Sequence, residues 1–575
     1  MRDSIESKVS NMHQLNIWNR WAKSFAVFIV LGVSLYSVST VLAAAPTLTH
    51  VYPAGGQRGT TVQVTATGTF DWPVKVWSPG LQIMTGKEKG KLDISIPADL
   101  ATDRVWIRFY NDEGASAAVP FLIGNLRELT EKEPNNTAVE AQEIADSRGI
   151  VNGVLQAAGD VDGFSVQLEE GHTLVAALSA NSRLGSPMDA ILQLATPSGF
   201  VVAENHDAIG LDPRLTYTAT QSATYIVRVF AFPSAPNSSI RYAGAANYIY
   251  RLTMTTGPYI ANAGPLSTSQ SELGDVAVFG WNLPANARLP VKPLGDALLV
   301  AQREFEPLSA GVSPDVQLGF VFSPTYAGSA RVRLTPHPVI MNSADGDEEP
   351  PITLTAPTSI SGRLSKDREV DHYLVTLRKS QRVVLIAECD RGELPVIPLM
   401  RLTHPDGTPA AATKDPGTRK ETTLTFVAKM DGDHVLEVFD RYGHGSERHF
   451  YRITVVEERT DFELTIGSDT LVLEKDKPLE IEISVNRKIQ GGVKLGPITV
   501  SVDGLPKGIV ATSAVSQPTG DTAKKVKISI AKSSTNYSGP IRVVGTTSEP
   551  TKLRRTARTP PKLGNSFDTI WFTAQ

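Results

Sequence analysis

The sequence predicts an all-β chain: tandem β-sandwich domains behind an amino-terminal signal helix. Three observations carry this. Short runs alternate apolar and polar residues with period two, as in Val62, Val64 and Ala66, Leu479–Val485, and Lys525–Ile530; that is the pattern of a half-buried strand. Turn formers are abundant, with 45 Gly and 38 Pro among 575 residues, which suits many short strands joined by tight connections. Long stretches of helical periodicity are absent after the first fifty residues. A chain of this length exceeds a single hydrophobic core and is expected to divide into about three to five domains. The 41% hydrophobic and 20% charged composition is that of folded material. A net charge of −4 argues against nucleic acid as a partner, because phosphate contacts need a basic surface.

At the amino terminus, Arg2, Lys8, Arg20 and Lys23 precede an uncharged apolar run from Phe25 to Ala45 that ends in Ala43-Ala44-Ala45. A basic region, an apolar region and a small-residue cleavage zone describe a secretory signal peptide over residues 1–45. Uncut, the run is long enough to anchor the chain in a bilayer. Either way the remainder is exported, to a periplasmic, cell-surface or extracellular location. The one cysteine, Cys389, lies in the apolar run Arg382–Cys389 and reads as a small buried hydrophobe.

Residues 46–125 hold Tyr52-Pro53-Ala54-Gly55-Gly56, Gly59-Thr60-Thr61-Val62 and the strand-like runs Arg104–Tyr110 and Val119–Ile123. This block resembles the IPT/TIG immunoglobulin-like fold. Residues 126–256 run through Glu131-Lys132-Glu133-Pro134-Asn135-Asn136-Thr137, Asp160-Val161-Asp162-Gly163-Phe164, Ser186-Pro187-Met188-Asp189, Thr224–Val229 and Asn247–Leu252. In order and spacing these motifs resemble the bacterial pre-peptidase C-terminal (PPC) domain, which implies a jelly-roll-like β-sandwich. Residues 257–337 repeat features of the first block, with Gly257-Pro258-Tyr259-Ile260 and Asp275–Pro284, and read as a second IPT/TIG-like domain. After the polar linker Asn342–Pro351, residues 338–457 echo the PPC-like block through Ser361–Leu364, Val370–Leu377, Asp433–Val438 and Phe450–Val455. The Glu-Pro-Asn-Asn segment is missing there and only Asp371 has a counterpart in the Asp-x-Asp pair, so this copy is degenerate: the fold is expected to persist and the metal site to be lost. Residues 458–575 alternate well and read as a terminal Ig-like sandwich. The basic stretch Lys552–Lys562 reads as an exposed hairpin loop, with contact to an acidic envelope polymer as the alternative.

Chemistry concentrates in the second block. Clustered Asp, Glu and Asn side chains supply the six to eight oxygen ligands that calcium takes. Glu131 and Glu133 alternate, so in extended backbone they share a side. Pro134 suits a linker laid along a sheet, and Asp160 and Asp162 flank a turn. PPC-related collagen-binding modules hold calcium between such a linker and turn. By that resemblance the candidate ligands are Glu131, Glu133, Asn135, Asn136, Asp160 and Asp162, holding a structural calcium. Gly163 stands where many family members carry an aromatic residue. The bland alternative is a solvated loop in which Asn136 or Thr137 caps a short helix over Thr137–Ile144. A second acidic group, Asp189, Asp207 and Asp212, reads as turn-forming residues.

Catalysis finds no motif: the chain lacks His-Glu-x-x-His, Gly-x-Ser-x-Gly and a phosphate-cradling Gly-rich loop. Gly443-His444-Gly445-Ser446 sits in an expected hairpin turn without an evident partner base, and His372, His434 and His449 read as surface or structural. The reading is a noncatalytic exported envelope or extracellular protein that binds polysaccharide or protein. The alternative is an accessory protein of a separately encoded secreted peptidase or other hydrolase. Contact with a membrane is expected only through an uncleaved amino-terminal segment.

Overall fold

The computed structural model describes residues 44–235, 241–294, 317–342, 351–389, 394–417, 421–475, 477–488, 493–532, 535–563 and 566–575. The expected signal segment, apart from its last two residues, and residues 343–350 of the expected linker lie outside the described residues. Among the described residues ten sheets stack as successive pairs, and the α-helix is confined to the single turn Asn181–Leu184. No helix among them is long and apolar enough to cross a membrane.

The alternation read from the sequence becomes the inward and outward faces of these sheets. In Val370–Leu377 the buried positions are Asp371, Tyr373, Val375 and Leu377; in Leu479–Lys488 they are Ile481, Ile483 and Val485. The first sandwich pairs one sheet of strands His50–Tyr52, Thr61–Thr67, Lys91–Ser95 and Gln82–Thr85 with another of Gly55–Gln57, Val119–Gly124, Arg104–Tyr110 and Lys75–Trp77. Val64, Leu92, Ile94, Ile107, Phe109 and Phe121 fill the space between. At about 1.5–3 kcal/mol for each large apolar side chain taken from water, such layers are the main force holding each sandwich.

The second and fourth sandwiches share one strand order. In the second, the sheet Gln142–Glu143, Asp162–Leu168, Ala223–Pro233, Met188–Ala195, Val201–Asn205 faces the sheet Arg214–Thr218, Thr173–Ser179, Ile249–Thr255, Gly149–Val154, Glu128–Thr130. In the fourth, the corresponding sheets are Ile352–Leu354, Val370–Leu377, Gly432–Asp440, Pro398–Thr403, Pro409–Ala412 and Glu421–Val427, Arg382–Glu388, Phe450–Glu457, Thr358–Arg363, Val339–Met341. The third sandwich (Tyr259–Thr335) and the fifth (Asp461–Ala574) complete the chain.

The sandwiches are not strung end to end. The first one touches three others. Its Tyr52 hydroxyl donates to Asn152 O of the second at 2.9 Å. Its Ala101 packs on Phe320 and Phe322 of the third, with the Arg58 guanidinium 4.2 Å from the Phe322 ring. Its Trp106, fully buried, meets Phe567 of the fifth with ring centroids 5.2 Å apart, beside an Arg108–Asp469 ion pair of 2.5 Å. The third and fourth are joined through Phe279 and Phe450, 4.6 Å between centroids, and by Leu266 N donating to Ser361 Oγ at 2.9 Å.

Candidate metal-binding cluster beside the first joint

Two edge pairings carry the acidic segment to its place. Glu128–Thr130 lies parallel to Ile150–Asn152, and Gln142–Glu143 lies parallel to Phe164–Ser165. The chain between them must bridge the two sheets of the second sandwich, and residues 131–137 do so across the end where Asp162 opens its strand. The helix expected over Thr137–Ile144 does not form. Glu140 N bonds to Thr137 O at 3.1 Å, but Gln142 and Glu143 then join the sheet and Ile144 N donates to Ser165 O at 2.9 Å. A single turn is a costly helix nucleus, and sheet pairing with a core-buried Ile144 outcompetes it. Asn136 therefore caps nothing; its Oδ1 accepts Val161 N at 3.2 Å.

Of the six residues singled out in the sequence, Glu133, Asp160 and Asp162 each place a carboxylate oxygen within 4.8 Å of the others. Asp162 is fully buried, and its Oδ2 receives the Tyr250 hydroxyl while its Oδ1 has no hydrogen-bond partner. Asn135 is also fully buried, and neither side-chain amide atom has a partner. Its backbone is fixed instead: N donates to Glu133 Oε2 at 3.0 Å and O accepts Gly163 N at 3.0 Å. Gly163 is needed for that approach, because a Cβ there would lie 2.8 Å from Asn135 O and push the segment away. Glu131 holds Val154 N at 2.8 Å through Oε1 and lies 3.2 Å from the Tyr250 hydroxyl through Oε2. Asp160 Oδ2 closes its turn by accepting Gln156 N at 2.5 Å.

The electrostatics of the cluster are those of acids lacking a counter-charge. Burial raises the Asp162 carboxyl well above the ordinary range, and the neighbouring Glu131 raises it further. Burial likewise raises Glu131, against the lowering effect of its hydrogen bonds. Glu133 is raised by burial and by Asp160. Buried polar atoms without partners are rare and costly. Here Asp162 Oδ1, on one of the three mutually close carboxylates, and Asn135 Oδ1, on the same linker as Glu133, are two such oxygens. That donor set, all oxygen and mostly carboxylate, fits a hard divalent cation.

Tyr250 was not among the residues singled out from the sequence. Its signal was present: in Ile249–Leu252 the inward positions are Tyr250 and Leu252, and an inward tyrosine needs a partner for its hydroxyl. Of the second acidic group, Asp212 accepts Ala180 N at 3.1 Å and Ser182 N at 3.2 Å, which fixes the turn Asn181–Leu184; burial pushes its carboxyl up to about 6. Asp189 is raised by burial and by Asp207.

Elsewhere two readings change. Ser446 does have a partner: His449 Nδ1 lies 2.7 Å from its Oγ. The two lie three positions apart in one turn, with Arg448 N donating to the same Oγ at 3.2 Å. Such a hydroxyl is spent on the turn itself. The basic stretch does belong to a hairpin, Leu553–Thr556 pairing with Val544–Thr547, but it is not simply exposed, since Arg554 meets Asp503 at 2.5 Å and Arg555 meets Asp461 at 2.8 Å.

No protein-family model matches the chain, and no curated protein matches it. Among solved structures, the chain is similar to the pre-peptidase C-terminal domain of a collagenase from Bacillus anthracis, with 19% identity over 19% of this chain and 99% of that one (TM-score 0.16). It is also similar to the four-domain immunoglobulin segment of Sidekick-1, with 12% identity over 90% and 95% of the two chains (TM-score 0.20). A third is the SGBP-B protein of a Bacteroides ovatus mixed-linkage glucan utilization locus, with 8% identity over 70% and 72% (TM-score 0.13). Scores this low carry no argument about function; the tandem β-sandwich architecture rests on the sheets described above.

Proposed function

We propose that this chain is a noncatalytic, exported binding or structural protein whose second sandwich is held to its linker by calcium. The observation that supports the calcium reading is the cluster of the Glu133, Asp160 and Asp162 carboxylates, in which Asp162 Oδ1 is buried without a partner, together with the buried, partnerless Asn135 Oδ1 of the same linker. Glu131, Glu133, Asn135, Asn136, Asp160 and Asp162 are the residues that would hold the ion. Bound there, calcium would supply charge neutralisation and cross-link the linker to the turn. Binding that requires the folded arrangement adds to folding stability. The proposed partners are an extracellular polysaccharide or protein, and export would follow from the amino-terminal segment.

The test is thermal unfolding and limited proteolysis of the full chain in calcium and in EGTA. Calcium should raise the melting temperature and protect residues 126–165 from cleavage. If chelator leaves both unchanged, the ion has no place in this fold. Retention on purified envelope polysaccharide, with and without calcium, tests the binding role separately.

A further inference from the structure

The fourth sandwich repeats the second closely enough for its residues to be matched by register. Asp162 lies opposite Val229, and Asp371 lies opposite Val438 on the corresponding strand. Tyr250 faces Gly153, and Tyr451 faces Gly362. Glu131 N donates to Asn152 O and Asn342 N donates to Ser361 O, both at 3.0 Å; Asn152 and Ser361 in turn face the paired positions Arg251 and Arg452. Two residues before each aspartate, Asp160 accepts Gln156 N at 2.5 Å and Glu369 accepts Lys366 N at 2.7 Å. Two residues after it, Phe164 is matched by Tyr373, and both are fully buried.

Two of these matches change the chemistry together. Where the second sandwich has the carboxylate of Glu131, the fourth has the neutral amide of Asn342; where the second has the hydroxyl-free ring of Phe164, the fourth has Tyr373. Asn342 Nδ2 donates to the Tyr373 hydroxyl at 2.9 Å, the Tyr373 and Tyr451 hydroxyls lie 2.5 Å apart, and the Tyr451 hydroxyl donates to Asp371 Oδ2. The donors thus run in one direction, amide to tyrosine to tyrosine to carboxylate. Glu131 and Asp162 face one tyrosine hydroxyl as two acids, whereas Asp371 stands at the end of a relay of neutral donors.

We propose that the Asn342–Tyr373–Tyr451–Asp371 relay holds the end of the fourth sandwich without metal, doing there what calcium does in the second. The comparison with the second sandwich rests on the calcium reading above; the relay itself does not. Two acids stand near this end: Glu369 Oε2 accepts Ser365 Oγ at 2.8 Å and Lys366 N at 2.7 Å, with its Oε1 left without a partner, while the buried Asp371 receives the directed hydrogen bond of the relay, which offsets its burial without a cation; Tyr373 supplies the link that a phenylalanine cannot.

Hydrogen exchange on the full chain, read by mass spectrometry in calcium and in EGTA, tests this with the Tyr373→Phe variant. In the unsubstituted chain, strands Val370–Leu377 and Phe450–Glu457 should exchange identically under both conditions. In the variant, both strands should exchange about tenfold faster, equally with and without calcium, because Asn342 Nδ2 loses its acceptor while the ring keeps its packing. Loss of protection in these strands on adding EGTA would overturn the inference, as would an unchanged exchange rate in the variant. The calcium reading is scored on other peptides, those covering 128–135 and 160–168, so its failure is seen separately.

Discussion

Asp162 carries two burdens at once: it is fully buried, and it lies beside a second raised acid, Glu131. In a protein stabilised by directed contacts alone, removing such a carboxylate costs its hydrogen bonds. In one awaiting a cation, removal relieves repulsion and desolvation. The two cases differ in sign. For Asp162→Asn we expect a melting temperature in EGTA at or above that of the unsubstituted chain, and no rise when calcium is added. Melting clearly below the parent in EGTA would mean that the carboxylate is satisfied by the protein. The candidate residues could be read in the sequence because oxygen-bearing side chains are conspicuous when crowded. What could not be read was which of them are tied down: Asn136 and Glu131 accept backbone N–H groups, while Asn135 has no side-chain partner, and that division depends on chain crossings two dozen residues apart.

Strands were legible because a two-residue period survives any tertiary context in which one face is buried. Leu479–Val485 and Lys525–Ile530, whose alternation indicated strands, lie in the strands Leu479–Lys488 and Lys525–Lys532, buried at alternate residues. The short stretch after Thr137 was not legible, since its local signals favour a helical turn and only pairing with Phe164–Ser165 decides otherwise. Gly163, one residue before that pairing, donates its N–H to Asn135 O at 3.0 Å and shows how tightly the crossing segment is laid down. Replacing it by alanine sets a methyl group against the Asn135 carbonyl, and backbone cannot swing aside as a side chain would. Forcing an extra methyl into such a contact costs about 1–3 kcal/mol. Gly163→Ala should therefore lower stability by that order in denaturant titrations and weaken calcium binding in calorimetry, because Asn135 and Glu133 move with the displaced segment. An unaffected calcium affinity would separate the linker from the site.

At the scale of the molecule, the sequence was read as a succession of domains, with nothing in it to indicate how they close on one another. The contacts that close it join residues remote in the chain, such as Trp106 with Phe567 and Gln575 Nε2 with Glu113 Oε2 at 2.9 Å, and no local pattern announces them. Asp103 is the hinge of this arrangement. It sits in the first sandwich, its Oδ2 2.5 Å from Arg183 of the second and its Oδ1 2.7 Å from Arg331 of the third. Arg183 is presented by the turn that Asp212 fixes, and Arg331 opens into the strand Ala330–Thr335, so three domains converge on one carboxylate. Burial alone would raise Asp103, but Arg183 and Arg331 together hold it far below the ordinary carboxylate range. A carboxyl group depressed in the folded state stabilises the fold above its unfolded pKa, near 3.8, and that contribution is lost as the pH falls below it. Asp103→Ala removes the carboxylate that two partly buried guanidinium groups share, and losing such charge-assisted hydrogen bonds costs about 1.5–3 kcal/mol. We expect the variant to unfold at lower denaturant concentration at pH 7, with the gap to the parent narrowing as the pH is taken from 5 toward 2. A gap that stays constant over that range would show that the junction is held by its apolar contacts, Ala101 on Phe320 and Phe322, and that the charge at its centre adds nothing.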